Sequence, residues 1–120
     1  MSKQISWRLV IAIKPDQLDR LQELTAEMVE STCTEIGTLI YECFITEDHR
    51  FIHSYERYAD SAAAITHLER FSHRFEERLA GLVRHTTCTV YGTPTAELKR
   101  WLDAANTPYL SSFGELAYWP

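Results

Sequence analysis

A ferredoxin-like α+β fold, a split βαβ sandwich, is predicted by three features of this 120-residue chain. Ile5, Trp7, Leu9, Ile11 and Ile13 alternate with Ser6, Arg8, Val10 and Ala12, the two-residue period of a strand. An apolar hairpin over residues 38–58 turns at Glu47-Asp48-His49. Two stripes of helical spacing follow the first strand and the hairpin. The resulting order is strand, helix, strand, strand, helix, strand.

The first strand carries apolar groups on both sides, so its sheet is expected to be covered on both faces. Lys14-Pro15-Asp16 ends it, and Asp16 is placed to cap a helix over 17–33 whose apolar stripe is Leu18, Leu21, Leu24, Met28 and Val29. Gly37 marks the next break. Residues 38–46 are β-branched and aromatic; Leu39, Tyr41, Cys43 and Ile45 share one face, with Ile40, Glu42 and Phe44 opposite. In the second hairpin strand, 50–58, the sets are Phe51, His53, Tyr55 and Arg57 against Ile52, Ser54, Glu56 and Tyr58. Asp60 is placed to cap a helical turn over 61–68, and a second stretch carries Leu68, Phe71, Phe75, Leu79 and Leu82 before Gly81 ends it. Residues 84–91 read as the fourth strand. Thr93-Pro94 suits an N-cap and first helical residue of a short helix reaching Ala104.

Residues 1–93 are thus expected to form the ferredoxin-like domain, with 94–120 a C-terminal helix and aromatic arm integral to the domain or to a dimer. The arm holds Tyr109, Leu110, Phe113, Leu116, Tyr118 and Trp119, too apolar for a solvated terminus. A sheet with helices on one side leaves its other face bare. If that face carried Trp7, Leu9 and Ile11, exposing three such side chains would forfeit about 5–8 kcal/mol of burial. A homodimer packed sheet to sheet meets that need, with the arm swapped onto the partner.

The net charge of −5 and the scattered arginines give no basic footprint, so nucleic acid is not the expected partner. The apolar run 9–13 is far below membrane-spanning length, and Met1-Ser2-Lys3-Gln4 makes no signal n-region. Cys33, Cys43 and Cys88 are an odd number at wide spacing, which fits free thiols in a reducing compartment. The cytosol is the expected location. Metal ligation finds little support. His49 and His53 fall on one side of a turn and strand about 13 Å apart, and His67 and His73 point away from each other on a helix.

Glu35-x-Gly37-x-Leu39-x-Tyr41, the turn Glu47-Asp48, Phe51, the triplet Glu56-x-Tyr58-x-Asp60, Ala63 and His67-Leu68 together resemble the antibiotic biosynthesis monooxygenase family over about three-quarters of the chain. Members of that family form dimeric α+β barrels. The resemblance implies a pocket in each protomer between sheet and helices, and oxidation of a quinol or aromatic polyketide by dioxygen without metal or flavin. His67 matches the histidine of the family's helix, Glu56 the acid of the strand motif, and Tyr58 falls where an aromatic is usual. Haem-degrading relatives use an asparagine, a tryptophan and a histidine. Here the first strand offers Ser6 and Arg8 but no asparagine, and Tyr58 stands in place of the tryptophan.

Cofactor-free oxygenation begins when a phenol or hydroquinone loses a proton, which suits a histidine near neutral pKa. His67 is the candidate base, and Tyr58 the candidate to orient the substrate hydroxyl or stabilise an oxyanion. Trp7, Tyr41, Phe71 and Phe75 are candidate aromatic walls for a small aromatic substrate. Glu35, Glu56 and Asp60 are read as structural, through turns, caps or hydrogen bonds. The bland reading stands beside each: His67 could simply bond a neighbouring carbonyl, and Tyr58 could be a packed aromatic with a satisfied hydroxyl. The rival to a cofactor-free monooxygenase is a non-catalytic dimer that binds a small ligand or a protein partner. A catalytic pair requires that the His67 ring and the Tyr58 hydroxyl both face one cavity.

Overall fold

The computed structural model describes residues 2–116, so Tyr118 and Trp119 of the arm lie outside the described residues. The elements run β1 (Ile5–Ile13), α1 (Leu18–Thr32), β2 (Thr38–Ile45), β3 (Phe51–Tyr58), α2 (Ser61–Arg74), α3 (Glu76–Ala80), β4 (Val83–Tyr91), α4 (Ala96–Leu102), a 3-10 turn (Asp103–Ala105) and β5 (Tyr109–Leu110). The sheet order is β2-β3-β1-β4-β5. The first four strands are antiparallel and β5 joins β4 in parallel. This is the expected ferredoxin-like topology with a C-terminal extension. No helix of the described residues is long and apolar enough to cross a membrane.

Asp60 caps α2 as expected, its carboxylate accepting from the Ala63 amide at 2.9 Å. Asp16 does not cap α1. It sits in the left-handed region with φ 63°, Gln17 takes the N-cap position, and no side chain bonds there. The stretch read as a short turn followed by a second helix is one helix to Arg74, broken at Phe75 before α3. The cap of α4 is Thr95, not Thr93. Its hydroxyl accepts from the Leu98 amide, while its own amide donates to Ser61 Oγ at the start of α2.

The larger correction concerns the sheet's faces. In the pairing register Ile5, Trp7, Leu9 and Ile11 lie beside Tyr58, Glu56, Ser54 and Ile52, and this set faces the helices. The outer face is the other set: Arg8, Val10, His53 and Tyr55, flanked by Ile40 and Phe44 on β2. The burial argument for Trp7, Leu9 and Ile11 is therefore met within the protomer. What the outer face exposes is Ile40 and Phe44. A bulge between Thr38 and Ile40 shifts the β2 register, and Leu39 is half exposed.

Two clusters form the core between sheet and helices. One gathers Ile5, Trp7, Tyr58, Ala64, Ile65 and Val90 with Leu98 and Leu102 of α4; the other gathers Ile11, Leu21, Leu24, Met28, Ile52, Phe75 and Leu79. The arm begins on its own protomer, because Val90 donates to the Pro108 carbonyl and Gly92 to the Leu110 carbonyl. Tyr109 and Leu110 pair with β4 of the same chain, whereas Phe113 and Leu116 stand fully exposed beyond them.

Candidate functional site

Where the two clusters meet, members of both line a cavity of about 380 Å³ between the sheet and the helices. Its wall is largely apolar, and Ser54, Glu56 and His67 face it from the β3 and α2 sides. The period of β3 places Ser54, Glu56 and Tyr58 on the helix-facing side at two-residue steps, and α2 crosses that side with His67 inward.

Glu56 is the hub. Its side chain is 3% exposed, and a carboxylate buried so deeply needs donors. Ser54 Oγ donates to Oε2 at 2.7 Å and the Tyr58 hydroxyl to Oε1 at 2.6 Å. His67 Nε2 lies 3.4 Å from the same Oε1. On the ring's other side, Nδ1 is 2.9 Å from Glu35 Oε1, which also accepts from Thr38 Oγ1 at 2.8 Å. An ionised carboxylate can only accept, so a hydrogen on Nδ1 is donated to Glu35, while Nε2 faces Glu56 on the cavity side. Arg70 Nη1, on the outer side, sits 3.9 Å from Glu35 Oε2. The ring is flanked by Tyr58 at 5.2 Å and Tyr41 at 5.4 Å between centroids, and Trp7 stacks on Tyr58 at 4.7 Å.

The Tyr58 phenol is held well above its ordinary pKa, first by burial and then by the charge of Glu56 and the hydrogen bond to it. Tyr41 is raised by burial, and then by the Glu56 charge. Burial and the same carboxylate push the Cys88 thiol up to about 11. These groups stay protonated at neutral pH, and around the cavity Tyr58 is a donor rather than a base.

The sequence-expected residues divide accordingly. His67, Trp7, Tyr41 and Phe71 line the cavity. Tyr58 does not; it is completely buried behind Glu56, with its hydroxyl committed to that carboxylate. Phe75 is a core residue packed in the second cluster and is absent from the cavity wall. Asp60 serves as the cap of α2. Glu35 is a buried partner of His67, and Glu56, read as structural, faces the cavity. Ser54 was missed, although β3 alternation already placed it with Glu56 on the face shared with Ile52. Trp101, Leu102 and Thr107, which close the wall from the C-terminal segment, carried no signal that ties them to a site. Among the described residues no three His, Cys, Asp or Glu side chains converge to hold a metal ion. Glu35 and Glu56 take opposite nitrogens of one ring, so their oxygens do not meet at a point.

A family model described as antibiotic biosynthesis monooxygenase matches residues 8–74, from β1 to the end of α2. The chain belongs to the antibiotic biosynthesis monooxygenase family. That family lies in the dimeric α+β barrel superfamily, and the match spans Glu35, Glu56 and His67. Among solved structures, MupZ from Pseudomonas fluorescens is similar with a TM-score of 0.88 at 18% identity, over 98% of this chain and 91% of that one. A putative antibiotic biosynthesis monooxygenase from Nitrosomonas europaea is similar with a TM-score of 0.70 at 18% identity, over 78% of this chain and 92% of that one. No curated protein matched in sequence. At these identities the structural likenesses speak to the fold.

Proposed function

We propose that this family member is an oxygenase of cofactor-independent type, acting on a small phenol- or quinol-like aromatic, with His67 as the base. The observation that carries the reading is an imidazole whose Nδ1 is fixed by one buried carboxylate while Nε2 faces an apolar chamber beside a second. Glu35 sets the tautomer, and both acids stabilise the imidazolium that forms when Nε2 takes the substrate's hydroxyl proton. The electron-rich anion then passes electrons to dioxygen inside the largely apolar chamber. The atoms balance with one oxygen retained on the substrate and the other leaving as water with two substrate hydrogens. Tyr58 acts on Glu56 rather than on substrate, which revises the direct role expected for it. Trp7, Tyr41 and Phe71 supply flat apolar walls.

A homodimer, packed through the outer sheet face, accompanies this reading. Its support is membership in a superfamily of dimeric barrels and the exposure of Ile40 and Phe44 on that face. The rival reading, a binding protein that turns nothing over, shares the same cavity and differs only in chemistry.

The test is oxygen uptake with a panel of anthrones and hydroquinones, for the wild-type protein and His67→Ala. Uptake that falls 10²–10⁴-fold in the variant supports the assignment. Uptake indifferent to the substitution removes His67 from the reaction. Saturable binding of the panel without uptake favours the ligand-binding protein.

A further inference from the structure

The Glu35–His67 pair does more than fix a tautomer. A second, smaller pocket of about 170 Å³ opens on the surface between the end of α1 and β2, and Glu35, Thr38, Cys33 and Tyr41 are among its walls. Tyr41 lines this pocket and the substrate cavity as well, so the two are back to back across it. Glu35 faces the outer pocket and His67 the inner cavity, and a 2.9 Å hydrogen bond joins them. The side chains of Glu35 and His67 are 5% and 7% exposed, and the Nδ1 edge of the ring is held by Glu35.

We propose that Glu35 is a positioning residue that connects the His67 imidazole to solvent through the outer pocket, giving protons a route separate from the substrate's. The proposal rests on the acid–base reading of His67 and adds where its protons exchange. The steps balance. When Nε2 accepts a proton from substrate, the Nδ1 hydrogen passes to Glu35 and from there to water in the outer pocket, leaving the Nε2–H tautomer. For the return, water protonates Glu35, Glu35 passes the proton to Nδ1, and the Nε2 hydrogen goes to the leaving oxygen. One proton out and one proton back restores the starting tautomer, which matches an oxygenation that removes a substrate proton and later protonates departing water. A one-way wire would need the ring to turn over in a packed site. The ionisable groups around the ring are Glu35, Glu56, Tyr41 and Tyr58, with Arg70 beside Glu35 on the solvent side. That guanidinium also donates to Thr34 Oγ1 at 2.7 Å, which holds it at the outer end of the pair.

Solvent exchange of the His67 ring hydrogen, followed by nitrogen-15 NMR, tests this without any substrate. Two perturbations act on the outer side: Glu35→Gln, and capping of exposed Cys33, a wall residue of the outer pocket, with N-ethylmaleimide, whose bulk crowds that pocket and leaves Glu35 and His67 unaltered. Exchange slowed at least tenfold by Glu35→Gln and several-fold by the cap, with Cys33→Ala insensitive to the reagent, is the expected result. An exchange rate equal in wild-type and capped protein overturns the proposal, even if Glu35→Gln fails to fold. Because the measurement needs no turnover, its failure leaves the oxygen-uptake test of His67 standing, and the converse holds.

Discussion

Gly37→Ala tests how the fold holds the site together. A Cβ built on Gly37 would lie 2.4 Å from Ala63 Cβ and 3.4 Å from its Cα, far inside van der Waals contact. Neither side can yield easily. The Gly37 carbonyl accepts from the Ala59 amide at 2.9 Å, and the Ala63 amide is tied to the Asp60 cap at 2.9 Å. Overpacking of this kind costs about 1–3 kcal/mol. With an unfolding entropy near 2.1 cal/mol/K per residue, a 120-residue chain loses about 8 °C of Tm for a 2 kcal/mol change. Relief of the clash by sliding the 35–37 turn away from α2 would also draw Glu35 from His67, so activity should fall with stability. The assay is thermal unfolding of a double-mutant cycle with Ala63→Gly, which alone costs about 1 kcal/mol through helix propensity. The double variant should recover most of the Gly37→Ala loss. A Gly37→Ala protein as stable as wild type, or a double variant no better than the sum of its parts, refutes the reasoning.

Tyr58→Phe strips Glu56 of its shortest hydrogen bond and should cost about 1–3 kcal/mol in chemical denaturation while leaving ligand binding in place. Glu56→Gln removes the charge beside Nε2 and should lower turnover about 10- to 100-fold, read as oxygen uptake with little change in KM. Alkylation should label exposed Cys33 at pH 8 and spare Cys88, whose labelling rises only near pH 11. The linked stability has a definite sign: the Cys88 contribution is fully present below pH 9, where the thiol is neutral folded or unfolded, and is lost as pH climbs to about 11. Truncation after Ala105 should destabilise the protomer itself, since it deletes the Pro108 and Leu110 carbonyls that pair with β4 and the Thr107 hydroxyl that donates to the Leu102 carbonyl. A truncated chain as stable as the full one in thermal unfolding would contradict that.

Strand order and the helix stripes were legible because two-residue and 3.6-residue periods leave direct marks on a sequence. The side of the sheet that a strand set faces is not so marked in β1, where both sets contain apolar residues and only packing decides between them. Gly37 was visible as a break, yet its reason is the approach of Ala63 rather than a turn dihedral, and that contact spans 26 positions of sequence. His67 was readable because an imidazole on an apolar helix face invites attention. The role of Glu56 was hidden, since an acid on a strand reads as solvated until the register shows what lies over it. Asp16 misled for a related cause: an acid after proline suits an N-cap, but here the chain uses its tolerance of positive φ to turn instead.

The exchange of roles between Tyr58 and Glu56 has one physical root. On β3 the two residues share a face, two positions apart, so whichever lies nearer the sheet's middle meets the cavity and the other backs it. A phenol raised far above neutral pH is a permanent donor, and a buried carboxylate needs permanent donors, so Tyr58 and Ser54 make Glu56 tolerable in an apolar wall. The C-terminal segment then closes the same chamber with Trp101, Leu102 and Thr107. MupZ matches this chain over 98% of its length and the Nitrosomonas europaea protein over 78%, so the shared fold can extend through that segment or omit part of the chain. On the proposed function, substrate choice is expected to reside in this closing segment, while the proton chemistry is assigned to Glu35, Glu56 and His67. Trp101→Ala should change which members of an aromatic panel bind while leaving His67 ring-hydrogen exchange as it is in wild type, and a variant altered in exchange but not in ligand range would reverse that division.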